Sequence, residues 1–69
     1  MPHVSAAPDS EPAEAIARTI GKRVREGRTE RGWTLDVLAH RSGVSRRMLV
    51  NVEQGATNPS IATLLRLAD

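Results

Sequence analysis

Apolar residues recur along this chain in short sets spaced three and four apart, broken by glycine and proline, and that spacing predicts helices throughout. The clearest stretch is residues 35–53, LDVLAHRSGVSRRMLVNVE. Leu35, Leu38 and Ala39 share one face of a first short helix, and Gly43 ends it. Ala39 sits four residues before that glycine, where the next helix must approach closely. Val44 and Ser45 then supply a turn and a fresh N-cap, and Leu49 and Val52 resume the helical spacing, with Met48 beside them as an adaptable filler. The intervening Arg46, Arg47, Val50 and Asn51 are mostly polar, so the second helix has a buried stripe and a basic outer face.

The remaining segments follow the same rules. Residues 1–10 are rich in proline, alanine and serine without periodicity and read as a disordered tail. A first helix is expected over about 11–31, opened by Glu11-Pro12, with Ile16, Ile20 and Val24 as its buried stripe and Ala13 and Ala17 alongside. Arg18, Lys22, Arg25 and Arg28 are expected on its solvated side. Gly27 falls where the stripe would continue, and the Trp33 indole is expected to pack over it; Gly32 ends the helix. Thr34 caps a second helix, about 34–42, with Asp36 in its first turn. The third spans about 45–54 and stops at Gly55; Ser60, after Pro59, caps a fourth over 60–69, with Ile61, Leu64, Leu65 and Ala68 as its apolar stripe. The expected architecture is one all-α, compact four-helix domain over residues 11–69.

Composition narrows the chemistry. With 69 residues there is room for one domain. The absence of cysteine removes disulfides and thiolate metal sites and fits a reducing, cytoplasmic setting. His3 and His40, the only histidines, read as solvated residues, so neither a metal nor a cofactor is expected. With no cysteine, no paired acids at a plausible site and no general base, the chain does not read as an enzyme. A single aromatic residue, Trp33, argues against a base-stacking platform for single strands. No apolar run is long enough to cross a membrane, and the N-terminus has no signal-peptide pattern. All ten basic residues, nine of them arginine, lie between Arg18 and Arg66; from Ile16 onward they face five acids, a net of +5.

A short helix, a glycine turn and a second helix with a basic outer face make a helix-turn-helix, with residues 45–54 as the recognition helix. A B-DNA major groove admits one α-helix, presented by its N-terminal end. Arg46 and Arg47 occupy the first turn, and Asn51 follows Arg47 by four. Arginine suits guanine O6 and N7, and asparagine suits adenine N6 and N7. Thr34 and Ser45 stand at helix N-termini, where backbone amides suit phosphates. The competing reading is a helical protein-interaction module, antitoxin-like or an adaptor; a groove partner wants apolar anchors on the outer face, where arginine and asparagine dominate here.

Residues 20–69 resemble the phage repressor/Cro-like (XRE) helix-turn-helix domain, on IGKRVREGRTERGWTLDVLA, the turn HRSGVS, and VNVEQGATNPSIATLLRLAD. The resemblance implies a lambda-repressor-like bundle of four or five helices whose fifth would begin after Asp69. It places Arg46, Arg47 and Asn51 on base edges, and Thr34, Gln54 and Asn58 on phosphates with Ser45 at the cap. Glu53 is structural on the same pattern. The structural core of the motif is Leu35, Leu38, Ala39, Gly43, Val44, Leu49 and Val52, with Trp33. Leu35 departs from the glutamine many members carry, and Gly27 from a leucine. The resemblance further implies double-stranded, palindromic operators, a homodimeric full-length regulator, and a ligand-sensing domain, often cupin-type, beyond this chain.

Overall fold

The computed structural model describes residues 6–68, with side chains described from residue 13 onward. The described residues form four α-helices and no strand: α1 (Ala6–Glu30), α2 (Leu35–Ser42), α3 (Arg46–Glu53) and α4 (Ile61–Ala68). The helix α1 begins at Ala6 instead of near residue 11, while residues 1–5 lie outside the described residues. Ala6 and Ala7 favour helix, and Pro8 falls in the first turn, where its missing N–H has no helical partner to lose. This length gives the molecule a long dimension of 49 Å against 22 and 18 Å.

The helix ends are set locally. Gly32, Gly43 and Gly55 adopt φ of 71°, 75° and 72°, the left-handed region that stops a helix while returning N–H groups to its last carbonyls. After α1, Gly32 N–H donates to Thr29 O and Trp33 N–H to Arg28 O, both at 3.0 Å; Gly55 and Ala56 repeat the arrangement on Val52 O and Asn51 O. At the other ends, the hydroxyls of Thr34, Ser45 and Ser60 accept the N–H groups of Val37, Met48 and Thr63. Each such cap contributes about 1 kcal/mol.

The core centres on α3, which packs chiefly on α1 and α2. Leu49 and Val52 are fully buried, joined by Ala17, Leu38 and Val44. Val24, Trp33, Leu35, Ala39 and Leu67 pack partly buried against the Leu38–Val44–Leu49 cluster. The contact between α1 and α3 is made backbone to backbone at Gly21. A Cβ there would collide with the Val52 carbonyl oxygen and stand 2.9 Å from that of Glu53.

That close crossing revises several expected positions. The side of α1 against α3 is Ala17, Gly21 and Val24, so Ile16, one position off this face, is 54% exposed. On α4, Leu67 reaches the core while Ile61 and Leu65 are 76% and 65% exposed. Gly43 is exposed; it serves the turn through its backbone. Trp33 does not cover Gly27, since the only outside atom within 4 Å of a Cβ there is Arg31 Nη1. Arg31 donates to Gly27 O at 2.9 Å, and Trp33 instead has the guanidinium groups of Arg31 and Arg41 over its ring, at 5.4 and 4.5 Å from its centre.

Candidate nucleic-acid interface

Two anchors fix the second helix of the turn. The first is apolar: Leu49 and Val52 lie at i and i+3 with no exposed surface. The second is ionic. Arg28, expected on the solvated side of α1, points inward, donating from Nε to Glu53 Oε2 at 2.7 Å and from Nη2 to Oε1 at 3.0 Å, with Nη1 on Trp33 O. Their side chains are 15% and 8% exposed. A bidentate pair at this burial locks the end of α3 to α1 in one orientation. The Glu53 carboxylate raises the Arg28 guanidinium above its ordinary value, against the opposing effect of burial. A raised cation contributes its stability below the unfolded value and loses it only as pH climbs through the folded one, so the lock holds across neutral pH.

With that side buried, the outer side is defined by spacing. Arg47, Val50, Asn51 and Gln54 follow at i, i+3, i+4 and i+7 and share one outward stripe. Arg47 and Gln54 are exposed, and Val50 and Asn51 half-buried. Arg46 lies about 100° round the helix from Arg47. It turns toward α2, where Nε meets Asp36 Oδ1 at 3.0 Å in a pair whose side chains are 62% and 79% exposed. Two arginines in the first turn oppose the positive end of the helix dipole, and no acid there offsets them. A helix selected for stability alone would carry acids at those positions, as α2 does with Asp36.

The other candidates separate. Thr34 and Ser45 are exposed at the starts of α2 and α3, each hydroxyl oxygen accepting a cap bond and keeping its hydrogen to donate. Gln54 caps α3 at its far end through its backbone, leaving the side-chain amide exposed. Asn58 stands apart, its Nδ2 donating to Ala13 O on α1 at 3.3 Å. Sequence spacing missed Gly21, the inward turn of Arg28 and the Asp36–Arg46 pair. All three depend on which helices cross, and no local periodicity reports that.

The profile described as Helix-turn-helix matches residues 22–69. The chain belongs to this family, of the Cro/C1 (XRE) type. Relatives in the helix-turn-helix family carry the same motif in longer proteins. The chain is 38% identical over 55 residues to the HTH-type transcriptional regulator SutR of Escherichia coli (strain K12), covering 80% of this chain and 31% of that protein. It is 38% identical over 50 residues to the HTH-type transcriptional regulator SinR of Bacillus subtilis (strain 168), 71% of this chain and 45% of the relative. An uncharacterized HTH-type transcriptional regulator, y4dJ of Sinorhizobium fredii (strain NBRC 101917 / NGR234), is 35% identical over 53 residues, 77% of this chain and 69% of the relative. The chain thus spans between about a third and a half of SutR and SinR. No solved structure matches it with significance.

Proposed function

We propose that this chain is the DNA-binding part of a transcriptional regulator, a binding module without catalysis, and that α3 enters the major groove of double-stranded DNA. The observation that carries this reading is the outward stripe of α3, held rigid from behind by Leu49, Val52 and the Arg28–Glu53 pair. On that stripe Arg47 suits guanine and Asn51 suits adenine, while Val50 offers a methyl surface to thymine. Arg46 joins them by leaving Asp36; an ion pair this exposed is worth about 0–1 kcal/mol and yields readily to a base edge or phosphate. Thr34, Ser45 and Gln54 grip phosphates at the two ends of the motif, and Asn58 contributes from the following loop through its free side-chain oxygen.

The relatives' names as transcriptional regulators and the family membership support this reading. Their greater length leaves room for a further domain, which in this proposal senses a ligand; binding to palindromic operators as a homodimer in the cytoplasm belongs to the same proposal. No helix among the described residues is long and apolar enough to cross a membrane.

The test is selection of duplexes from a random library, followed by binding of the selected and scrambled sequences. Arg47→Ala and Asn51→Ala should each cost about 1–3 kcal/mol on the selected duplex and relax preference at one base pair. Equal losses on both duplexes would overturn base reading by these residues. Asp36→Asn should tighten binding to every sequence by releasing Arg46.

A further inference from the structure

The helix-turn-helix accounts for α2, α3 and the loop after them, and leaves one charged surface of α1 without a role. Arg18, Lys22 and Arg25 follow at i, i+4 and i+7, so they form a single row along α1. The row borders a cleft whose opposite wall is Gln54 and Gly55, at the end of α3. Its position is fixed by close packing. A Cβ on Gly55 would stand 3.1 Å from Arg18 Cγ and 3.2 Å from Arg18 Cα, so only glycine lets the α3 terminus sit against α1 here. Gln54 therefore belongs to two surfaces at once, the outward stripe of α3 and the wall of this cleft.

The charges of the row are unspent. Among the described residues the ion pairs are Arg28–Glu53 and Arg46–Asp36, and none involves Arg18, Lys22 or Arg25. Glu53 also lines the cleft, but both its oxygens accept from Arg28; Glu26 is the one other acid there. Three cations against one free carboxylate leave the rim positive. Over seven residues of helix the row covers about 10 Å, the axial rise of about three phosphates on one strand. The other flank of α1 carries Arg23 and Arg31, which border a groove of about 540 Å³ between α1, α2 and α4, away from Gln54.

We infer that the Arg18–Lys22–Arg25 row is a second DNA-backbone contact, continuing from Gln54 onto the phosphates that flank the bases under α3. The inference rests on the proposed DNA reading and adds α1 as a gripping element. The row carries affinity without sequence preference, because phosphates are the same at every base pair.

The experiment compares salt dependence in two charge-matched variants, using fluorescence anisotropy of a labelled duplex and the whole 69-residue chain. One is Arg18→Gln/Lys22→Gln/Arg25→Gln, which keeps most of each stem; the other is Arg23→Gln/Arg31→Gln/Arg41→Gln on the groove side. Circular dichroism checks that each variant is folded before its slope is read. Each phosphate contact contributes about 0.9 to the slope of log affinity against log salt, so the row variant should lose about 2.7 from that slope. Between 50 and 200 mM salt its affinity should then fall about 40-fold less than the parent's. The loss should be equal on selected and scrambled duplexes and disappear when base pairs flanking the selected site are trimmed. The groove variant should keep the parent's slope.

An unchanged slope in the row variant, an equal loss in the groove variant, or a loss that survives trimming would each overturn the inference. Failure of the DNA reading looks different: the parent would then bind selected and scrambled duplexes equally, whatever the slopes.

Discussion

Gly21 and Gly27 lie on the same helix, and substitution to alanine should move stability in opposite directions. In a helix interior, replacing glycine with alanine gains about 1 kcal/mol, because the backbone loses less freedom on folding. At Gly27 little opposes that gain. The new Cβ would meet only Arg31 Nη1, at 3.1 Å, the tip of a flexible exposed side chain. At Gly21 the new Cβ would run into the carbonyl oxygens of Val52 and Glu53, backbone atoms that cannot rotate away. Overpacking of this kind costs about 1–3 kcal/mol, and a rigid obstacle belongs at the upper end. The net expectation is a gain of about 0.5–1 kcal/mol for Gly27→Ala and a loss of about 2 kcal/mol for Gly21→Ala. In a domain of this size 1 kcal/mol moves Tm by about 4–8 °C, so the two variants should separate by more than 10 °C or so. Thermal and urea unfolding followed by far-ultraviolet circular dichroism provides the measurement. If both variants shift the same way, or Gly21→Ala is as stable as the parent, the backbone crossing of α1 and α3 is not as tight as described. Because Gly21 bears on the residues just before Gln54, Gly21→Ala should also tilt α3 and weaken DNA binding beyond what lost stability explains.

Other consequences can be read with the same instruments. Glu53→Gln leaves the Arg28 guanidinium largely buried without its countercharge and should cost about 3 kcal/mol, the lower end for a broken buried pair. The double substitution Arg28→Met/Glu53→Met should cost less than Glu53→Gln alone, and a double variant worse than the single would refute the ionic account of the lock. Ser45→Ala removes the hydroxyl that accepts Met48 N–H and should lower the urea midpoint by the equivalent of about 1 kcal/mol with the slope unchanged. Arg41→Gln uncovers one face of the only aromatic ring, so Trp33 emission should shift to longer wavelength with a stability loss of about 0.5–1 kcal/mol. Unchanged emission would mean that the guanidinium does not shield the indole in solution.

The candidate site is partly legible in the sequence, and the boundary has a physical reason. The caps at Thr34, Ser45 and Ser60 and the stops at Gly32, Gly43 and Gly55 involve atoms a few residues apart, so residue type alone foretold them. The buried spacing of Leu49 and Val52 was equally local, and with it the exposure of Arg47; Asn51, four residues on, is half-buried. Ile16, Ile61 and Leu65 had suitable spacing and still face solvent, because periodicity defines a stripe without saying where a neighbouring helix crosses it.

What only the tertiary structure decided lies between residues distant in sequence. Arg28 had the character of a surface arginine until Glu53, 25 residues later, was brought against it. Gly21 gave no local signal; its smallness matters because the carbonyls of α3 pass at that one point. Arg46 read as a twin of Arg47 until Asp36 drew it to the side of the helix. The sequence by itself determined four helices, the caps and glycine stops between them and the buried stripe of α3, since those follow from bonds within a helical turn or two; the start of α1, at Ala6 rather than near residue 11, it did not. The helix crossings determined which cations are locked away, which is paired at the surface, and which have no ion pair among the described residues, since a charge is spent only where the fold brings its opposite within reach.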